Sequence, residues 1–191
     1  CNPADITTIQ DNEIVKLYPY SKEFLFVATN RGLYKYSYLT NSFQHIVLEK
    51  KDEKIRVSSL IEDGKHNLLI GTSGYGAYRL DMTTGKVTRL SRKSANSVDN
   101  FFTMLFFDAE GYLWQANHTK VLRKYKYDGK SIKLVSVYEP KELFGIRKLY
   151  ATDKKGFFVA HTGGIMRYDY ASDSFSRYDF DFSAHQGAGY I

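Results

Sequence analysis

Cysteine is all but missing: the 191 residues hold one, Cys1, so no disulfide can form within the chain. Long apolar runs are missing too. A membrane helix needs about 20 consecutive apolar residues, and the longest cluster, 101–107, is interrupted by Thr103. The sequence as it stands opens on no signal-peptide pattern. Histidine is scarce: His45, His66, His118, His161 and His185 form no short metal-ligand pair, and neither His-Glu-x-x-His nor Cys-x-x-Cys occurs. No metal and no cofactor is therefore expected. A sustained 3.6-residue apolar period is also lacking, which leaves almost no helix.

Charge is unbalanced but scattered. Lysine and arginine number 27 against 21 acidic residues, for a net +6. The densest basic stretch runs through Lys120, Arg123, Lys124, Lys126, Lys130 and Lys133. There Lys124 and Lys126 alternate with Tyr125 and Tyr127, the period of a strand with one wet face. A solvated strand explains these charges, and no nucleic-acid partner is expected.

Aromatics are what the chain has in excess: 16 Tyr, 13 Phe and one Trp, 16% of all residues. Such side chains suit pleated, half-buried surfaces and favour an all-β fold. A repeat then organises them. Phe26, Leu69, Trp114 and Phe158 follow one another at 43, 45 and 44 residues, each opening a matching tetrapeptide. Short alternating strands at a period in the low forties are the mark of β-propeller blades. The expectation is four four-stranded antiparallel blades over about 13–48, 55–92, 100–138 and 145–180. Third strands carry stripes such as Tyr34/Tyr36/Tyr38 and Met166/Tyr168/Tyr170, and fourth strands pair Phe43 with Ile46, Val87 with Leu90, Ile132 with Val135 and Phe175 with Tyr178.

Both ends exceed four blades. Residues 5–10 have the spacing of a closing fourth strand, and Ile146 plus one period lands on Tyr190. Residues 180–191 thus read as the start of a further blade, and the chain as a piece of a larger propeller. Cys1, before a polar stretch, is either a lipid attachment point or simply where this stretch begins.

The motif resembles the two-component regulator propeller repeat. The matches are Asp63 with Leu68-Leu69-Ile70-Gly71-Thr72 and Arg79-Leu80-Asp81, Asp108 with Gly111-Tyr112-Leu113-Trp114 and Lys126-Tyr127-Asp128, and Gly156-Phe157-Phe158-Val159-Ala160 with Arg167-Tyr168-Asp169. The first repeat is the weakest. That resemblance implies a periplasmic sensor region of a bacterial hybrid two-component system, detecting oligosaccharides and signalling through parts outside these residues.

Catalysis is not expected. A glycosidase needs two converging carboxylates about 5 to 9.5 Å apart, whereas Asp63 and Asp108 recur at 45 residues in successive turns, with Asp153 one position out of register. Such turn aspartates cap their own backbone. Binding has a better address. In an up-and-down meander the loops after the second strands, 29–32, 72–76, 117–120 and 161–164, emerge at one end, joined by longer interblade loops at 91–100 and 136–144. Asn30, Arg31, Tyr75, Asn117, His118 and His161 supply the aromatic and planar polar groups that sugar recognition uses. The competing reading of this end, and of the exposed aromatics, is a platform for a protein partner or a second copy, and a homodimer is expected.

Overall fold

The computed structural model describes residues 8, 9, 11–49, 54–91 and 97–179, with Ser97, Val98, Thr152 and Asp153 described by backbone alone. Among these residues the chain forms four separate four-stranded antiparallel sheets, each a meander in sequence order. The first comprises β1 (Ile14–Pro19), β2 (Phe24–Thr29), β3 (Leu33–Ser37) and β4 (Ser42–Ile46). The second comprises β5 (Val57–Glu62), β6 (Asn67–Thr72), β7 (Ala77–Asp81) and β8 (Val87–Arg89). In the third are β9 (Met104–Phe107), β10 (Leu113–Ala116), β11 (Leu122–Tyr127) and β12 (Ile132–Tyr138), and in the fourth β13 (Lys148–Asp153), β14 (Gly156–His161), β15 (Gly164–Asp169) and β16 (Ser174–Arg177). One 3-10 turn, Ser97–Asn100, is the only helical element among the described residues.

The repeat is kept in register. Phe26, Leu69, Trp114 and Phe158 sit opposite Tyr18, Ile61, Phe106 and Tyr150 on their first strands. Each sheet then lays one face on the next. Phe26, Ala28 and Leu33 of the first sheet meet Leu60, Leu68, Ile70 and Tyr78 of the second. Leu69, Ala77 and Leu90 of the second meet Leu105, Leu113 and Tyr125 of the third. Trp114, Ala116 and Leu122 of the third meet Leu149, Phe157, Val159 and Tyr168 of the fourth. The innermost strands β1, β5, β9 and β13 all contribute to one central cavity. This is the stacking of propeller blades around an axis.

Because a stacked blade is covered on both faces, two readings of the sequence need correction. Lys124 is not on a wet face: it is 8% exposed, its Nζ over the Tyr112 ring at 4.3 Å and 3.2 Å from Tyr168 Oη. Period two places Tyr125 against the second sheet and Lys124 against the fourth, and only Lys126 reaches solvent. Fourth-strand residues three apart likewise fall on opposite faces, Val87 against the first sheet and Leu90 against the third. In β12 the pairing with β11 shifts between Lys124 and Tyr125, so Val135 bulges out at 50% exposure and the half-buried Tyr138 packs against the core instead. Strand β12 also takes the first residues of the loop expected at 136–144.

Among the described residues nothing covers the face of the fourth sheet that repeats this pattern. Tyr150, Phe158, Ala160, Ile165 and Tyr178 correspond in register to the buried Phe26, Ala28 and Leu33 and the half-buried Tyr18 and Ile46, yet line an apolar depression of roughly 310 Å³. Cys1, the closing strand expected over 5–10 (save Thr8 and Ile9, which are in no strand), His185 and the further blade at 180–191 lie outside the described residues.

One glycine marks a close approach between blades. Gly71 holds the place of Ala28, Ala116 and Ala160, and a Cβ there would stand 2.1 Å from the Phe102 carbonyl oxygen. The segment before β9 is fastened there, Phe102 N donating to Thr72 O at 2.8 Å and Gly76 N to Asn100 O at 2.8 Å. Gly71→Ala is expected to cost about 1–3 kcal/mol by overpacking. Denaturant titration checks this, and the wild-type midpoint would refute it.

Candidate functional site at the loop end

Thr29, Thr72 and His161 end their second strands and Asn117 directly follows β10, and each folds its own loop. Thr29 Oγ1 accepts from Arg31 N at 3.0 Å and Gly32 N at 3.1 Å. Thr72 Oγ1 accepts from Tyr75 N at 3.2 Å and donates to Gly76 O at 2.6 Å. Asn117 Oδ1 accepts from Thr119 N at 3.0 Å and from the Thr119 hydroxyl, and His161 Nδ1 accepts from Gly163 N at 3.1 Å. Short polar side chains at this position replace a backbone turn bond. The repeat therefore explains four loops that leave the sheets at one end.

Of the six residues singled out in the sequence, four have structural work. Asn117 is 5% exposed and spends its carbonyl oxygen on its turn. His161 turns one ring nitrogen inward and meets the Phe144 ring edge-on at 5.7 Å. Tyr75 leans on the core between the first two sheets, with its carbonyl oxygen taking an Arg89 hydrogen bond. Asn30 is held from both sides, its amide donating to Glu13 and its oxygen accepting from Arg56 Nη1 at 2.7 Å. Arg31 and His118 are exposed, and among the described residues their side chains form no hydrogen bond or ion pair. None of the six hydrogen-bonds another. They share an end of the molecule rather than a single pocket.

Two concave features lie nearby that the sequence did not single out. A groove of roughly 640 Å³ runs between the second and third sheets, where Arg123 pairs with Asp99 at 2.7 Å beside Ser91, Phe102 and Tyr125. Burial pushes the Tyr125 hydroxyl up to about 12, so it stays protonated at neutral pH. The second feature is the axial cavity. Its signal was available: Lys16, Ser59, Met104 and Lys148 follow the same spacings of 43, 45 and 44 as the strand motif.

The turn aspartates occupy the opposite end. Asp108 is 6% exposed and accepts from Glu110 N at 3.0 Å, Tyr112 N at 2.8 Å and Trp114 Nε1 at 2.7 Å. Asp63 accepts from Lys65 N and Asn67 Nδ2, both at 2.8 Å, and from Tyr127 Oη of the next sheet at 2.9 Å. Burial alone would raise the Asp63 pKa, but these donors outweigh it and hold the carboxyl below its ordinary range. Every oxygen is committed to a turn or a neighbouring sheet, which suits scaffolding and not proton transfer. No group of three or more potential metal ligands exists among the described residues.

Fold and loop end together define a β-propeller. No protein-family model matches the chain, and no curated protein does. Among solved structures it is similar to the extracellular domains of two Bacteroides thetaiotaomicron proteins assigned as hybrid two-component systems. BT4673 aligns with a TM-score of 0.69 at 21% identity, over 93% of this chain and 26% of that one. BT3049 aligns with a TM-score of 0.66 at 17% identity, over 94% and 24%. The β-propeller domain of Myceliophthora thermophila Cps50 (Swd1) follows with a TM-score of 0.65 at 13% identity, over 84% and 58%. The chain thus spans about a quarter of the length of the two bacterial domains. At these identities the likeness is one of fold, and it falls on the group of proteins that the repeat sequence resembles.

Proposed function

We infer that this chain is part of a periplasmic sensor propeller of a two-component signalling receptor, that it is non-enzymatic, and that it recognises an oligosaccharide at its loop end. The observation carrying this reading is that four self-capped loops, bearing the free side chains of Arg31 and His118, open at one end while the turn carboxylates of Asp63 and Asp108 are tied up at the other. Fold likeness to extracellular sensor domains supports the same class. Isothermal titration with a panel of neutral and acidic oligosaccharides tests it, paired with product analysis after long incubation. Saturable binding with the sugar recovered intact is the expected result. A sugar returned cleaved, or no binding across the panel, would overturn it.

A second reading, docking of a protein partner or another copy of the chain, is favoured by the open face of the fourth sheet, where Tyr150 is 61% exposed and Tyr178 40%. Under this reading the chain self-associates, and Tyr150→Glu with Tyr178→Glu abolishes the association in sedimentation velocity. Identical sedimentation of both proteins as monomers would remove it.

A further inference from the structure

The axial cavity collects positive charge from strands far apart in sequence. It is roughly 200 Å³ in volume and is lined by Lys16 of the first sheet, Ser58 and Ser59 of the second, Thr103 at the edge of the third, and Arg147 and Lys148 of the fourth. Among the described residues no acidic side chain lines it. Lys16 pairs with Ala28 and Lys148 with Ala160, each one residue before the loop-capping Thr29 and His161. The cations therefore stand at the mouth of the axis on the loop end.

They are also uncompensated. Among the described residues, Lys16, Arg147 and Lys148 form no ion pair with a carboxylate, although Asp and Glu pair elsewhere with Arg89, Lys120 and Arg123. The one side-chain bond these three make among the described residues is from Lys16 Nζ to the Leu60 carbonyl at 3.3 Å, which leaves two of the ammonium protons for other partners. Burial first, and the nearby charge of Lys148 second, hold the Lys16 pKa below the usual lysine value. Ser59 Oγ accepts from Leu105 N at 3.1 Å and so keeps its own proton to donate. Like charges facing one cavity repel unless something negative sits between them. A propeller needs no lysine here: the equivalent positions in the second and third sheets are Ser59 and Met104.

We propose that the axial cavity is a binding site for a compact oxyanion, a carboxylate or sulfate group, held by Lys16, Arg147 and Lys148 with a hydrogen bond from Ser59. The cavity admits one such group, whether free in solution or carried on a larger ligand seated at the loop end. This site does not depend on the loop end reading a sugar.

Calorimetric titration of the chain at constant ionic strength, with chloride exchanged for the probe, separates the sources. The probes are inorganic sulfate, glucuronate and, as the uncharged control, glucose. Sulfate or glucuronate is expected to bind saturably and glucose not at all; sulfate alone identifies a sulfate site, and both identify a general oxyanion site. Lys148→Gln should weaken that binding by about 10-fold or more, the loss of one charge-assisted contact. The same variant, free of anion, should melt no lower than wild type, because it removes a repulsion and no hydrogen bond. Wild type and Lys148→Gln responding equally to sulfate, or no saturable binding of either anion, would overturn the proposal. Should Lys148→Gln melt lower without anion, the lysine is structural and the proposal also fails.

Discussion

Trp114→Ala is expected to lower the stability of the chain by about 3–5 kcal/mol, the cost of removing a fully buried large aromatic. Its side chain is 0% exposed and sits where the third and fourth sheets meet. Ring centroids of Tyr168, Phe157 and Tyr138 lie 4.8, 4.9 and 5.2 Å away, the first two edge-on. Edge-to-face pairs add to area burial, so the loss belongs at the upper end of that range. Trp114→Phe keeps most of the volume but frees the indole's hydrogen-bond partner, and it should cost less. Equilibrium urea denaturation of both variants checks the order; Trp114→Ala within about 1 kcal/mol of wild type would contradict the stacked-blade interface.

Asp108→Ala is the second large effect, expected at about 3 kcal/mol because it strips a buried carboxylate from three donors at once, the Trp114 indole among them. Asp63 predicts a pH signature as well. Its carboxyl titrates below the ordinary range in the folded chain, so its contribution is fully present above the unfolded carboxylate value of about 3.9 and is lost as pH falls through and below it. Asp63→Asn should therefore destabilise at pH 7 and converge on wild type as the pH falls below the lowered Asp63 pKa. A constant difference across that range would show that the hydrogen bonds to Tyr127 and Asn67 do not depend on the charge.

The architecture was legible because the repeat is redundant: every blade repeats Phe26, Leu69, Trp114 or Phe158 in the same register, and no single residue had to be read correctly. Lys124 was misread because alternation tells two faces apart without saying whether one of them is wet, and a blade has a neighbour on each side. The bulge at Val135 was invisible for a related reason: an extra residue inside β12 shifts the pairing without disturbing composition.

The candidate site was less legible. The loops were located correctly as chain segments by counting strands, yet Asn117 and His161 were chosen as chemical groups while the same counting puts them in register with Thr29 and Thr72. Capping and recognition use the same side-chain types, so residue identity could not separate them. Lys16 and Lys148 escaped notice because they stand 132 positions apart. Only the arrangement of the first strands around one axis brings them to one cavity.

The central claim, that the loop end binds and the turn end supports, is tested most directly by titrating one oligosaccharide from the panel into four proteins. They are wild type, Arg31→Ala, His118→Ala and Asp63→Asn. Losing one hydrogen-bonding side chain at a binding surface should weaken affinity by roughly 5- to 150-fold, about 1–3 kcal/mol. The account predicts that loss for the two loop variants with melting temperatures unchanged, and unchanged affinity with a lowered melting temperature for Asp63→Asn. Weakened binding in Asp63→Asn beside wild-type affinity in both loop variants would contradict it.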